Sequence, residues 1–419
     1  MRRVAVTGLG ILSPIGNDVK TFWNSLMDGV CGIDFITEFP TDNLPVHIAG
    51  KIRNFNPEDY GMDKPFIRRQ DPFSIYAMAA AWQAMQDCGL NTDGENANIA
   101  ADRLGVYISS GIGGFTTIYR EVANMHDQKS GQWLPPTFIP TIISNIAGAQ
   151  VAIKFKAEGP CLDIVTACAT STNSIGEAFR TIRHGYADAI IAGGTDHTAI
   201  PIGLAGFGNM KALSRSEDPK YASLPFNANR GGFVMADGAA VIVLEEYEHA
   251  VARGAHIYAE MVGYGNTCDA HHVTAPRPDG VTQARCISQA LEEAAFDPSK
   301  DNMYINAHGT GTLLNDAAET KAYKIALGDY AYKAHISSTK SMHGHMLGAT
   351  GAAEAIATVL ALQKGMIPPT INLDTPDPEC DLDYTPNKAV HADVNIGISD
   401  SLGFGGHNCC IAFRRAPKL

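Results

Sequence analysis

The sequence predicts an α/β fold in which helices cover the faces of buried sheets. Short apolar runs at 4–6, 104–108, 162–165, 189–192, 241–244, 304–306 and 336–338 each read as a strand shielded on both faces. Between them, apolar residues recur at helical spacing, so strands and helices alternate along the chain. The bulk numbers agree. A chain of 419 residues, 45% hydrophobic and 18% charged with 41 Gly, can bury a large core.

Taken in order, the 4–6 strand starts almost at Met1 and leads to a helix carrying Phe22, Trp23 and Leu26. Asn17 is placed to cap that helix and Gly29 to stop it. Phe73, Tyr76, Ala77, Ala80 and Ala84 form the apolar face of a second helix, ending at Gly89. After the 104–108 strand, Gly111-Ile112-Gly113-Gly114 has the look of a phosphate loop but lacks its Lys-Ser/Thr, which argues against nucleotide binding. The 162–165 strand runs through small residues into an amphipathic helix closed by Gly185, with Cys168 at the turn. A charged helix end near 250–256 precedes another strand and divides the chain into halves of 1–250 and 251–419. No low-complexity tract or disordered linker interrupts this pattern.

The net charge of -12 disfavours nonspecific nucleic-acid binding, and an acidic protein partner would need a local basic patch. Nine irregularly spaced Cys form no secreted disulfide framework and suggest a reduced, cytoplasmic protein. No signal peptide and no membrane-length apolar run is evident.

Cys168 stands out as a nucleophile candidate. Unpaired amides and the dipole at a helix N-terminus would stabilise a thiolate and lower the thiol pKa. The alternative is a small buried hydrophobe, the usual state of a free Cys. His308, in Ala-His-Gly-Thr-Gly-Thr, and His345, in Lys-Ser-Met-His-Gly-His, each follow a strand on a Gly-flanked loop. Two neutral imidazoles could present N–H groups to an enolate oxygen without a metal. A zinc site at His343 and His345 lacks further ligands at suitable spacing. Lys340 and Glu354 could pair to orient His345, or form an inconsequential surface ion pair. Ser401-Leu402-Gly403-Phe404-Gly405-Gly406 is either a plain hairpin turn or a loop whose amide completes an oxyanion hole with that of Cys168, Phe404 acting as a gate.

With Thr-Ala-Cys168-Ala-Thr, His308-Gly-Thr-Gly-Thr, Lys340-Ser-Met-His-Gly-His345 and Gly-Phe404-Gly-Gly in this order, the chain resembles the β-ketoacyl-acyl-carrier-protein synthases, most nearly the elongating synthase II type. The likeness runs from Arg3-Val-Ala-Val-Thr-Gly, through Pro225-Phe-Asn-Ala-Asn-Arg-Gly-Gly-Phe233, to Asp400-Ser-Leu-Gly-Phe404. It implies a thiolase-like fold, two similar α/β halves in a five-layered αβαβα arrangement, usually a homodimer. It also implies decarboxylative condensation of malonyl-carrier with an acyl chain held on Cys168, assisted by His308 and His345. No cofactor is implied; substrates ride on the phosphopantetheine of acyl carrier protein. By the same resemblance Thr310 and Thr312 contact the pantetheine. Ile112 and Phe233 line the acyl tunnel, and Lys64, Arg68, Arg69 and Lys211 dock the carrier. Any one of those basic residues could equally be an ordinary solvated charge.

His343 stands where the synthase II motif usually has Thr, and Asp400 where Asn is common. Such changes suit either fatty acid elongation or a specialised polyketide or polyene pathway. A thiolase would need a second reactive cysteine, for which Cys409 and Cys410 are candidates, although both lie in an apolar run. An inactive chain-length-factor-type subunit would lack the nucleophile, and Cys168 is present.

Overall fold

The computed structural model describes residues 1–128 and 134–417. Its main strands are β1 (Val4–Leu12), β2 (Leu104–Ser109), β3 (Ala189–Asp196), β4 (Gly238–Glu246), β5 (Ala259–Cys268), β6 (Met303–Asn306), β7 (His335–Ser337), β8 (Ile396–Gly403) and β9 (His407–Arg415). They hydrogen-bond in the order β2-β3-β4-β1-β5-β9-β8-β6-β7.

That order contains the same arrangement twice. In the first half β2 and β3 are parallel, while β3–β4 and β4–β1 are antiparallel. In the second half β6 and β8 are parallel, while β8–β9 and β9–β5 are antiparallel. Strand β7 adds a parallel outer strand beside β6. Its counterpart is a parallel bridge from Cys161 to Val106 of β2. The halves join where Val4–Val6 of β1 pairs with Met261–Ala259 of β5.

Helices complete a thiolase-like sandwich of five layers. Pro72–Cys88 and Ile146–Phe155 cover the outer face of the first half, and Val281–Glu293 and Leu313–Leu327 that of the second. Thr170–Arg183 and Thr350–Lys364 lie between the two halves, where Ile175, Phe179, Ile356 and Leu360 share one apolar cluster. A helix buried on all sides needs small residues where it meets another backbone. Gly351 meets Thr172 of the companion helix, and Gly176 meets the Tyr264 ring, so that an added Cβ would overlap either neighbour. The Thr172 hydroxyl contacts Ser401 at 2.7 Å, and Ser171 Oγ accepts from the Ala352 amide at 2.9 Å.

Two local expectations are corrected. The 162–165 run is not a strand. Only Cys161 bridges to β2; the Ile164 amide then donates to Ser109 Oγ at 2.8 Å instead of a ladder carbonyl. Leu162 and Val165 remain 51% and 49% exposed beyond the sheet edge. The first helix, Val19–Met27, is capped by Asp18, which accepts from the Thr21 amide at 2.8 Å. Asn17 donates instead to the Arg53 carbonyl at 2.7 Å.

Gly351→Ala is expected to lower stability by about 1–3 kcal/mol through overpacking between the central helices. A denaturant midpoint unchanged from wild type would contradict that tight contact.

Candidate active site

Each central helix is preceded by a tight 3-10 turn, Ala167–Ala169 before one and Leu347–Ala349 before the other. Both turns open on a non-glycine residue in the left-handed region, Ala167 at φ 51° and Leu347 at φ 47°. Side chains seldom adopt this conformation. Cys168 occupies the first turn and is buried. Asp196 ties the second turn to the loop after β2. It accepts from the Gly348 amide at 2.7 Å, the Gly111 amide at 3.3 Å and the Ser110 hydroxyl at 2.6 Å.

His308 leaves the end of β6, where its neighbour Gly309 donates to Glu319 Oε2 at 2.8 Å and accepts from the Ser338 hydroxyl at 2.7 Å. His345 follows a short helix, Lys340–His343, and its amide donates to the Val234 carbonyl at 2.7 Å. The imidazoles lie edge to face, 5.5 Å between centroids and 85° between planes. His345 Nδ1 is 2.9 Å from Thr350 Oγ1, while its Nε2 and His308 Nδ1 are buried without a hydrogen-bond partner. Cys168, His308 and His345 line one cavity of about 330 Å³, together with Lys211, Phe233, Thr310, Thr312 and Phe404.

The electrostatics rest on one buried cation. Lys340 forms an ion pair with Glu354, both essentially inaccessible. Burial lifts the Glu354 carboxyl to about 7, with Lys340 opposing. Burial, then Lys340 and the companion imidazole, hold His308 well below the usual histidine value; burial, Lys340 and His343 do the same to His345. Both rings are therefore neutral at neutral pH. Burial also pushes the Cys168 thiol up to about 12, with Asp196 adding to the rise. Lys340 and the amides of Phe404 and Cys168 itself act in the opposite direction. The lowered thiol pKa expected from the helix N-terminus is thus corrected, because desolvation of the sulfur outweighs the donors around it.

His343 does not line the cavity. Its Nδ1 is 2.7 Å from the Gly344 carbonyl and its Nε2 is 3.1 Å from Thr339 Oγ1, so both ring nitrogens are used in holding the loop. No group of three His, Cys, Asp or Glu is placed to hold a metal ion among the described residues. Cys409 and Cys410 are buried in β9, and burial raises both thiols.

Other expected residues fall in separate places. Ile112 is 37% exposed on the loop after β2 and is not part of the cavity wall. Lys64, Arg68 and Arg69 are exposed on and just after the helix Lys64–Ile67, whereas Lys211 is at the cavity. Sequence reasoning missed Phe207, whose ring stacks on Phe404 at 6.2 Å and meets Phe233 edge-on at 5.8 Å. It also missed the 269–276 stretch at the cavity. There the Asp269 amide donates to the Gly406 carbonyl at 2.8 Å, and Gly405 donates to Val273 at 2.7 Å. Neither carried a motif; each is recognisable only through its neighbours in space. Gly403 shows why the Gly-rich loop can approach: a Cβ there would overlap the Thr166 carbonyl beside Cys168.

A duplicated α/β half that presents a cysteine beneath two imidazoles defines a thiolase-like condensing enzyme. Residues 1–250 match the model of the Beta-ketoacyl synthase N-terminal domain and 258–374 that of the C-terminal domain, so the chain belongs to the β-ketoacyl synthase family. It is 48% identical over 415 residues to 3-oxoacyl-[acyl-carrier-protein] synthase 2 of Staphylococcus aureus (strain COL), covering 99% of this chain and 98% of that protein. The corresponding figure for the Synechocystis protein of the same name is 46%, with the same coverage. Among solved structures, a type II polyketide ketosynthase in complex with its acyl-carrier protein superposes with a TM-score of 0.91 at 34% identity, covering 99% of this chain and 100% of that one. A β-ketoacyl synthase from Burkholderia phymatum does so with a TM-score of 0.91 at 33% identity, covering 100% of both chains.

Because only the thiolate alkylates, and the thiol pKa is raised to about 12, Cys168 labelling by iodoacetamide should accelerate about tenfold per pH unit between roughly pH 7 and 9. A plateau in that range, followed by mass spectrometry of the labelled peptide, would show a thiolate already formed.

Proposed function

We propose that this enzyme elongates fatty acyl chains by two carbons, as a synthase II type β-ketoacyl synthase. Cys168 accepts the acyl group from the phosphopantetheine arm of acyl carrier protein: as its sulfur attacks, its proton passes to an imidazole and on to the departing pantetheine sulfur, whose C–S bond to the acyl group breaks, leaving the imidazole neutral again. Malonyl-carrier then enters, and the breaking C–C bond leaves its electron pair in an enolate as carbon dioxide departs. His308 and His345, neutral because buried, supply N–H donors to the enolate oxygen. The enolate carbon attacks the acyl thioester, the amides of Cys168 and Phe404 hold the resulting oxyanion, and the sulfur leaves as the C–S bond breaks. Lys340, paired with Glu354, acts on both imidazoles through its charge.

The observation that carries this reading is the convergence of Cys168, His308 and His345 on one cavity from three separate stretches of chain. Thr310 and Thr312, with hydroxyls 3.0 Å apart at that cavity, are the pantetheine contacts. Phe233 lines the acyl tunnel at this cavity, Ile112, on the exposed loop after β2, belongs to the part of the tunnel beyond the cavity wall, and Phe404, leaning on Phe207, is its gate. Lys64, Arg68, Arg69 and Lys211 receive the acidic carrier. Neither His343 nor Asp400 lines the cavity, which favours ordinary elongation over the specialised polyketide or polyene pathway.

The halves 1–250 and 251–419 act as one catalytic unit, the first supplying the nucleophile and the second both histidines. The enzyme works in the cytoplasm as a homodimer. All nine cysteines are unpaired, in keeping with a reducing compartment. No helix among the described residues is long and apolar enough to cross a membrane. Exposed Leu162 and Val165 beside the edge strand β2 offer an apolar, extended surface to a second copy.

Replacing Cys168 with Gln should abolish condensation but leave decarboxylation of malonyl-carrier, read as released carbon dioxide. His308→Ala should slow that decarboxylation about 10²–10³-fold, the cost of one oxyanion donor. Decarboxylation that needs the thiol and survives loss of both imidazoles would overturn these roles. Leu162→Asp with Val165→Asp should convert a dimer to a monomer in light scattering; an unchanged mass would place the interface elsewhere.

A further inference from the structure

The carboxyl of Asp196, at the end of β3, is fully buried between the Ile112 loop and the turn that follows His345. Its Oδ2 accepts from the Gly348 amide at 2.7 Å and the Gly111 amide at 3.3 Å, and its Oδ1 from the Ser110 hydroxyl at 2.6 Å. Backbone amides can only donate. The Ser110 oxygen is itself an acceptor, for the Gly113 amide at 2.8 Å and the Ile112 amide at 3.3 Å, so its own proton goes to Asp196. Every partner therefore calls for an ionised carboxylate.

Both segments joined in this way depend on being held. Leu347 opens its turn at φ 47°, a conformation that persists where the surroundings fix it, and the next amide is the one that Asp196 binds. On the other side, the amides of Gly111, Ile112 and Gly113 bond to Asp196 or Ser110 rather than to a sheet. The two segments touch: a Cβ on Gly348 would lie 2.7 Å from Asp196 Oδ2 and from the Gly111 nitrogen.

We propose that Asp196 is a positioning residue for acyl-chain recognition, its carboxylate fixing the Ile112 loop through Ser110 against the turn beside the catalytic cavity. Short acyl chains end within the cavity at Cys168 and read little of this loop, whereas long ones must pass it. The proposal rests on the tunnel role given above to Ile112.

Asparagine separates the parts of this link. Its oxygen can replace Oδ2 and keep both amides, but its NH2 then points at Ser110 Oγ, which already receives two amides, and the Ser110 proton loses its acceptor. A protonated Asp196 meets the same conflict, with O–H in place of N–H. Burial lifts the Asp196 carboxyl to about 6, against its bonds from Ser110, Gly348, Gly111 and Ile112. The titratable groups around it are Cys168 on the first turn, whose thiol Asp196 raises, and Asp163 beside the Ser110 amide, itself raised by burial. His197, next along the chain, turns to Thr116 Oγ1 at 2.7 Å and to Asp237, which also holds Lys51. Because the folded chain holds the Asp196 proton up to about pH 6 and the unfolded chain only to about 3.8, protonation between these values adds stability. Acid cuts the link without unfolding the protein.

The test uses the full chain with butyryl- and myristoyl-carrier, reading kcat/KM for Cys168 acylation by mass spectrometry. The myristoyl-to-butyryl ratio cancels the titration of the thiol itself. Asp196→Asn and Ser110→Ala are each expected to lower this ratio about tenfold. The double variant should lose no more than either alone, because both cut one link. Iodoacetamide should label Cys168 in Asp196→Asn at least as fast as in wild type, since a charge that raises the thiol is gone. In wild type the ratio should fall as pH drops through about 6 with an unchanged circular dichroism spectrum, and Asp196→Asn should show no such fall. An unchanged ratio in either single variant, additive losses in the double variant, or an acid decline kept by Asp196→Asn each overturns the link. Ser110→Ala decides by itself where Asp196→Asn fails to fold. Ile112→Trp should lower the ratio at least as far. A wild-type ratio there sinks the tunnel role of Ile112 and the link with it, whereas a lowered ratio beside an unchanged Asp196→Asn sinks the link alone.

Discussion

The site depends on how closely two buried helices approach. Thr170–Arg183 and Thr350–Lys364 bring their N-terminal turns together because Gly351 leaves room for Thr172 and Ser171 reaches the Ala352 amide. One turn carries Cys168; the loop leading to the other carries His345. A separation larger by one methyl group would displace the two turns relative to each other, since interiors this dense transmit displacement.

Burial then decides the chemistry. In water, a cysteine at a helix N-terminus and two histidines would titrate near neutrality; enclosed around Lys340, the thiol and both imidazoles are held uncharged. That arrangement suits a reaction whose charge appears only transiently, on an enolate and then on a tetrahedral oxyanion. Donors already in place need no solvent to reorganise around that charge. The ion pair of Lys340 with Glu354 is expensive to bury but places a single fixed positive charge behind all three groups.

Much of this was legible in the chain itself. Strand runs, the turn at Cys168 and the Gly-flanked histidines announce themselves through local periodicity and small residues, and the family resemblance rests on those same segments. What local pattern could not show is environment. The apolar 162–165 run looks like any buried strand, yet it lies beyond a sheet edge with its side chains exposed. The helix start at Cys168 suggested a low thiol pKa, but only the enclosing residues reveal the desolvation that reverses it. Phe207 acts through Phe404, which lies far along the chain and meets it only in the folded state. Asn17 and Asp18 are both good caps, and only the route of the backbone picks one.

The doubled architecture has a further meaning. The turn Ala167–Ala169 and the turn Leu347–Ala349 are equivalent, which sets Cys168 opposite Gly348. Where one copy bears sulfur, its twin bears only hydrogen, and a side chain there would strike Asp196 and the Gly111 amide. Symmetry of scaffold is thereby broken at a single atom's position. The fold is doubled, but the position that holds a thiol in one half is closed to any side chain in the other.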